Sequence, residues 1–372
     1  MQELVVKTAR DFSRNVLAPN AARWDKEHIH PIDEIMQLGE LGLFGMLVPE
    51  EYGGTALGYE TLAMAIEEIA AGDGGCSTIV SVMNSVVCGP IAAFGTEAQK
   101  EQWLVPLATG DMLGAFCLTE PQAGSDASAL QTKAVKDGDD WLLSGSKQFI
   151  TNGKFAKVAI VFAVTDPAAG KRGLSAFLVP SDSEGYLVAS VEEKMGQRSS
   201  DTALLQFDQV RLPASAMLGN PGDGYRIALA NLEGGRIGIA SQAVGMARAS
   251  FDAALQYAKE RKSFGTEIFN HQAIQFKLAE MATRLEAARQ LVLHAARLKD
   301  AGQPCLKEAC MAKLFASDNA EWICSEAIQV LGGYGYLSDF PLERIYRDVR
   351  VTRIYEGTSE IQKIVIAKAL GR

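Results

Sequence analysis

The sequence predicts a multidomain α+β chain: an N-terminal helical domain over residues 1–111, a central antiparallel β-barrel-like domain over 112–218, and a C-terminal four-helix bundle over 219–372. Three observations carry this. Apolar residues recur at helical spacing up to about Asp111, short β-rich runs take over from about Met112, and long helical patterns return from about Asn220.

In the first zone Ile35, Leu38, Leu41 and Leu43, then Leu62, Ile66 and Ile69, fall on helical faces with charges between them, and Pro31 and Pro90 punctuate the pattern. Gly74–Thr96 contains no charged residue. About 20 such residues are long enough to span a bilayer. Ser77, Thr78, Ser81, Asn84, Ser85 and the Gly89-Pro90 break instead favour a buried helix lining an interior site. In the second zone the runs Trp141–Leu143, Phe149–Thr151, Val158–Val164, Ala176–Val179 and Thr202–Phe207 alternate with turn signals such as Asp137-Gly138-Asp139 and Asn152-Gly153. In the third, no proline occurs between Pro221 and Pro304, and helical patterns cover Ile237–Lys262, Gln272–Leu298 and Leu306–Leu331.

Composition narrows the function. With 48% hydrophobic and 22% charged residues the chain reads as a soluble globular protein. Its net charge of −9 argues against a nucleic-acid partner, whose affinity would come from Lys and Arg. The six cysteines form no C-x-x-C pair and have no zinc spacing, so no metal site is expected and they read as reduced, buried thiols of a cytoplasmic protein. The first ten residues have no signal-peptide character, and membrane insertion is not expected. Glycine-rich dinucleotide, Walker, His-Glu-x-x-His and Gly-x-Ser-x-Gly motifs are absent, and with four histidines a histidine mechanism is poorly supported.

Four segments carry chemistry. Phe116–Asp126 (FCLTEPQAGSD) ends a strand at Thr119 and opens into a turn whose N–H groups and hydroxyls can cradle an anion or a heterocycle, though a plain strand-to-loop junction would look similar. In Lys147–Gly153, strand alternation puts Phe149 and Thr151 on one face, an aromatic and a hydroxyl suited to a flat heteroaromatic ring; a core Phe beside a solvated Thr fits the same pattern. Gln329–Tyr336 places three glycines after a long helix, either a simple stop or a bare backbone that a ligand can approach. Tyr355–Gln362 holds Glu356 on a loop just before a helix, with Ser359 and Gln362 reading as a capping box. A Glu beside a Gly is usually a solvated turn residue; here it is also a candidate base.

Together, Leu118–Asp126 (LTEPQAGSD) and Tyr355–Thr358 (YEGT), supported by Glu260–Gly265 (ERKSFG) and His271-Gln272, make the chain resemble the acyl-CoA dehydrogenase family over nearly its whole length. The resemblance implies that family's helical–β–helical fold and α,β-dehydrogenation of an acyl-CoA thioester. Glu356 is then the catalytic base and FAD the hydride acceptor. It implies FAD contacts from Phe116, Leu118, Thr119, Ser125, Phe149 and Thr151. Arg261, Phe264, Gln272, Gln329, Leu331, Gly332 and Gly333 correspond to contacts made across subunits, and Thr358 and Glu360 to the last of the set. Many relatives carry Trp where this chain has Phe149. Ser125, Glu233, Arg236 and Gly357 map to the substrate side. Some branches carry their base near Gly235, which cannot act as one here. The resemblance further implies a homotetramer and an electron-transfer flavoprotein as electron acceptor. The texture around Glu233–Ala240 is similar to short-chain members, with short branched-chain (isobutyryl- or 2-methylbutyryl-CoA) members as the alternative. An acyl-CoA oxidase is disfavoured by chain length. A non-catalytic binding or assembly protein of the same fold is disfavoured because every chemical role has a suitable residue.

Overall fold

The computed structural model of the protein describes residues 1–371. Helices open the chain: α1 (Gln2–Phe12) and α2 (Ala18–Glu27) run together through a wider turn at Ser13–Leu17, followed by α3 (Ile32–Glu40) and α4 (Gly58–Gly72). Then α5 (Gly74–Val82) continues through a second widened stretch, Met83–Cys88, into α6 (Gly89–Phe94), and the short α7 (Glu97–Gln99) and α8 (Val105–Thr109) complete the set. Pro90 therefore does not break the helix: it sits in the first turn of α6, directly after the widened stretch Met83–Cys88. The uncharged run Gly74–Phe94 is long and apolar enough to cross a membrane, yet most of it is buried inside the protein. Two of its hydroxyls are satisfied locally: Ser77 and Ser85 donate to carbonyls within the helix. Asn84 donates to the Leu43 and Val80 carbonyls at 2.7 and 2.9 Å and accepts from Met46 N–H at 2.9 Å, tying this helix to the loop after α3.

Eight strands follow: β1 (Gly114–Cys117), β2 (Lys133–Asp137), β3 (Asp140–Thr151), β4 (Val158–Val164), β5 (Leu174–Pro180), β6 (Tyr186–Val191), β7 (Thr202–Leu212) and β8 (Met217–Leu218). They form one sheet in the order β6-β7-β3-β2-β4-β5-β8, with β1 added to β4. The sheet differs from an antiparallel barrel: it is open and mixed. β1 runs parallel to β4, pairing Gly114 with Val158 through Cys117 with Val161, because it arrives from the helical domain and not from a hairpin. β1 ends at Cys117, two residues before the expected Thr119.

β4 (VAIVFAV) is apolar throughout because both faces of the sheet are covered. Ile160 and Phe162 point into a core shared with the N-terminal helices, where Leu38, Ile66, Ile79 and Val87 also lie. Ala159, Val161 and Ala163 point into the opposite core with Leu143, Phe177, Leu205 and Val210.

The last part contains α9 (Gly224–Ala230), three long helices α10 (Leu232–Glu260), α11 (Gln272–Asp300) and α12 (Leu306–Leu331), then α13 (Leu342–Val349) and α14 (Ser359–Leu370). A two-stranded ribbon, β9 (Lys262–Ser263) and β10 (Thr266–Glu267), joins α10 to α11. The three long helices share a core of small residues such as Ala240, Ala243, Ala288, Ala312 and Ala316, and α14 packs on α12 as the shorter fourth member. α10 also lies against α4, which seats the bundle on the N-terminal helices. All six cysteines are buried and unpaired.

Replacing Asn84 by Ala leaves the Met46 N–H and the Leu43 carbonyl buried without partners. Each such group costs about 1–3 kcal/mol, so the urea midpoint falls while the m-value stays unchanged.

Candidate active site

The strand β3 is twelve residues long, but its pairing with β7 slips twice, between Leu143 and Gly145 and between Lys147 and Ile150. The second bulge holds Phe149 at a φ of +59°, so simple alternation does not place it. The bulge turns the ring outward: Phe149 is 63% exposed and, with Thr151, lines a cavity of about 530 Å³. Phe116, Leu118, Thr119 and Ser125 line the same cavity from β1 and the turn after it.

That turn rests on a buried ion pair. Lys147 Nζ lies 2.7 Å from Glu120 Oε1 and donates to the Leu118 carbonyl at 3.1 Å. The Glu120 carboxylate also accepts from the N–H groups of Gln131 and Thr132 at 2.7 and 3.0 Å. Glu120 and Ala123 exchange two backbone hydrogen bonds at 3.0 Å, closing the turn and leaving Gly124, Ser125 and Asp126 exposed beyond it.

The helical domains supply the other walls. α10 contributes Leu232, Glu233, Arg236 and Ile239, α5 contributes Thr78 and Val82, Val86 follows, and Ile361 and Ile364 come from α14. Glu233 is not free, because its carboxylate is paired with Lys299 Nζ at 2.7 Å. Arg236 is buried, with its Nε unpartnered.

Glu356 and Gly357 complete the cavity. Glu356 adopts a φ of +53°, uncommon for a residue with a side chain, and Gly357 follows at +89°. The Glu356 carboxylate is enclosed by protein and reaches solvent only through the cavity; its Oε2 has no hydrogen-bond partner. Burial pushes its carboxyl up and the nearby Arg236 and Lys313 pull it back, leaving it at about 6. Gly235 makes room for it: a Cβ there would stand 2.6 Å from Glu356 Oε2 and 2.8 Å from its Cδ.

The residue before the carboxylate is fixed by a buried polar network. Tyr355 Oη donates to Gln242 Oε1 and accepts from Gln197 Nε2 at 3.2 Å. Thr78 donates to Gln197 Oε1 at 2.6 Å, and Gln242 Nε2 donates to Thr78 Oγ1 at 2.6 Å and Ser77 Oγ at 2.9 Å. After the carboxylate, the helix α14 is capped by Thr358, whose Oγ1 accepts from Ile361 N–H at 3.4 Å, and not by Ser359 as expected. Gln362 does not reach back to a capping residue either. Its side chain donates to the Glu356 and Gly357 carbonyls at 3.1 and 2.8 Å.

A second, separate cavity of about 450 Å³ gathers Arg261, Leu331, Gly332 and Gly333 with Tyr257, Ile268 and Tyr334. Phe264, Gln272, Gln329, Thr358 and Glu360 line neither cavity within this single chain. Phe264 is 99% exposed on the β9–β10 turn, Gln272 and Glu360 are exposed in the first turns of α11 and α14, and Thr358 is used in its cap. The sequence did not reveal Tyr225, Leu229, Leu232, Ile239 and Ile364 as wall residues. The 3- and 7-residue spacing of Leu229, Leu232 and Ile239 was the available signal, and it reads equally well as helix core.

With this geometry the chain can be placed. The N-terminal, middle and C-terminal domains of acyl-CoA dehydrogenases match residues 1–111, 115–210 and 222–371. The chain belongs to the acyl-CoA dehydrogenase family, whose members are flavoproteins. It is 50% identical to the human mitochondrial short-chain specific acyl-CoA dehydrogenase over 370 residues, covering 100% of this chain and 90% of the relative. Among solved structures, butyryl-CoA dehydrogenase from Megasphaera elsdenii is 44% identical with a TM-score of 0.98, covering 100% of this chain and 98% of that one. A chain of the electron transferring flavoprotein structure from Acidaminococcus fermentans is 46% identical, also with a TM-score of 0.98 and the same coverage.

Two substitutions test the architecture of the site. Glu120→Ala strands the buried Lys147 charge and costs about 3–5 kcal/mol of stability, read from denaturant unfolding. Gly235→Ala drives a methyl group into the Glu356 carboxylate. Acyl-CoA dehydrogenase activity falls about 10²-fold, as expected for a displacement near 1 Å, while circular dichroism stays that of the parent.

Proposed function

We propose that this protein dehydrogenates a short-chain acyl-CoA thioester across Cα–Cβ to the trans-2-enoyl product, with Glu356 taking the α-proton. The observation that carries the reading is a buried carboxylate with an unpartnered oxygen, held on a positive-φ turn in the wall of an otherwise largely apolar cavity. A base poised near neutral pH needs that environment.

FAD suits the facing residues. Phe116 and the outward-turned Phe149 offer flat apolar surfaces, with the hydroxyls of Thr119, Ser125 and Thr151 beside them. At Gly332 and Gly333 a Cβ would meet nothing within 4 Å, so bare backbone lies open next to Arg261 in the second cavity. When bound, FAD supplies the two-electron acceptor for the hydride that leaves Cβ. The chain supplies the rest. Glu356 accepts and holds the proton, Thr78, Val82, Val86 and Ile239 exclude water from the acyl chain, and Arg236 sets the charge around the base. A short acyl group is supported by the names of the two relatives above.

Phe264, Phe276 and Tyr336 leave large apolar surfaces exposed in the C-terminal domain, which supports a homotetramer in which cofactor contacts are shared between subunits. The likeness to a chain of an electron transferring flavoprotein structure supports that class of protein as electron acceptor.

Anaerobic titration of the purified yellow protein with butyryl-CoA should bleach the visible flavin band stoichiometrically, and Glu356→Gln should slow that step by about 10²–10⁴-fold. Because the base works only when ionised, kcat/KM rises with pH through about 6 and levels off above it. Bound flavin that no acyl-CoA reduces would reject the reading.

A further inference from the structure

Lys313 lies in the middle of α12 and is fully buried. Its ammonium donates to the Gly357 carbonyl at 2.7 Å, while the Glu356 and Asp318 carboxylates act on it through charge and not through a hydrogen bond. A buried cation without an ion pair is poor design for stability alone, since its desolvation is not offset by an opposite charge in contact. What it touches is the backbone immediately after Glu356. That backbone occupies two successive positive-φ conformations, which surrounding structure must hold in place. Gln362, also fully buried, donates to that same Gly357 carbonyl and to the Glu356 carbonyl. Arg353 braces the approach to this turn through Asp318 at 2.7 Å and Glu321 at 2.7 Å, both on α12. The turn carrying the carboxylate is thus fastened to α12 before it and within it, and to α14 after it.

We propose that Lys313 is a positioning residue for the reaction: it clamps the Gly357 carbonyl so that the Glu356 carboxylate faces the acyl chain, and its charge keeps that carboxylate ionised in a desolvated cavity. The proposal rests on Glu356 being the base. The charged and titratable groups around the pair are Arg236 on α10, Cys310 and Asp318 on α12, and Glu356 itself. Burial pulls the Lys313 ammonium down to about 8, with Glu356 opposing that fall, so Lys313 is charged where Glu356 ionises. Arg236 remains in every variant below, so a change in the ionisation of Glu356 reports on Lys313.

The test follows flavin reduction of the FAD-loaded protein by butyryl-CoA in an anaerobic stopped-flow instrument across pH, with Glu356→Gln as control. Lys313→Met keeps the unbranched shape of the side chain, one atom shorter, and removes both the donor and the charge. It should retain flavin, reduce about 10²-fold more slowly, and move the acid limb to higher pH. Gln362→Leu removes donors without changing charge; it should slow reduction and leave the limb in place. Amide exchange over Tyr355–Ile361 should quicken in both. If Lys313→Met does not fold, Lys313→Gln carries the test, with the same upward move of the limb expected. An acid limb that stays at its parental position in a folded, flavin-bound Lys313 variant overturns the proposal, whatever the rate, because loosened packing alone would slow the enzyme without retuning its base. If Glu356→Gln still turns over, the base assignment fails instead, and the two failures are told apart by that control.

Discussion

The site depends on one costly arrangement, a carboxylate set in the cavity wall with one oxygen buried and without a hydrogen-bond donor. Between an ordinary glutamate and one at about 6 lies about 2 kcal/mol, set against folding when the group is charged. The sign follows from the raised value. The penalty is absent below the usual carboxylate range, grows as pH rises toward 6, and is fully present above it. Much of the surrounding structure manages this one charge. Gly235 clears the space, Arg236 and Lys313 balance the field, and the Tyr355 network with Gln362 keeps the backbone from relaxing. A fully paired glutamate would be more stable there and a weaker base.

The two halves of the cavity are held by the same device. Lys147 anchors the turn after β1 through the Leu118 carbonyl and Glu120, and Lys313 anchors the turn before α14 through the Gly357 carbonyl. Both lysines are fully buried, and both bond a main-chain oxygen next to residues that face the cavity. They differ in compensation. Lys147 has a carboxylate in contact, which makes it a structural brace, whereas Lys313 leaves its charge to act on Glu356 at longer range.

The order of helical, β and helical regions was legible because the apolar period changes twice along the chain, and the family motifs placed Glu356, Phe149 and the 118–126 turn on one cavity. What the sequence hid has physical causes. β2 and β6 expose most of their residues and carry little alternation, so they did not stand out. The parallel pairing of β1 with β4 joins segments more than forty residues apart, which no local pattern encodes. Phe149 turns outward because of a bulge, and a bulge is a property of the pair β3–β7, not of β3. Thr358 takes the place of Ser359 as the cap, and Gln362 is committed to the carbonyls of the Glu356-Gly357 turn. A lysine in the middle of a helix ordinarily reads as surface, so Lys313 gave no sign of its burial.

The shared core under β4 has a consequence for how the molecule holds together. Ile160, Phe162, Leu174 and Leu178 of the sheet sit in the same apolar cluster as Leu38, Ile66, Ile79 and Val87 of the N-terminal helices. The segment between α8 and β1 is therefore a border in secondary structure and not in energy. Severing the chain there would strip one face of the sheet bare and divide the apolar cluster that both parts build. The helices and the sheet share that interior, so loss of the N-terminal region would expose one face of the sheet as well as remove one wall of the cavity.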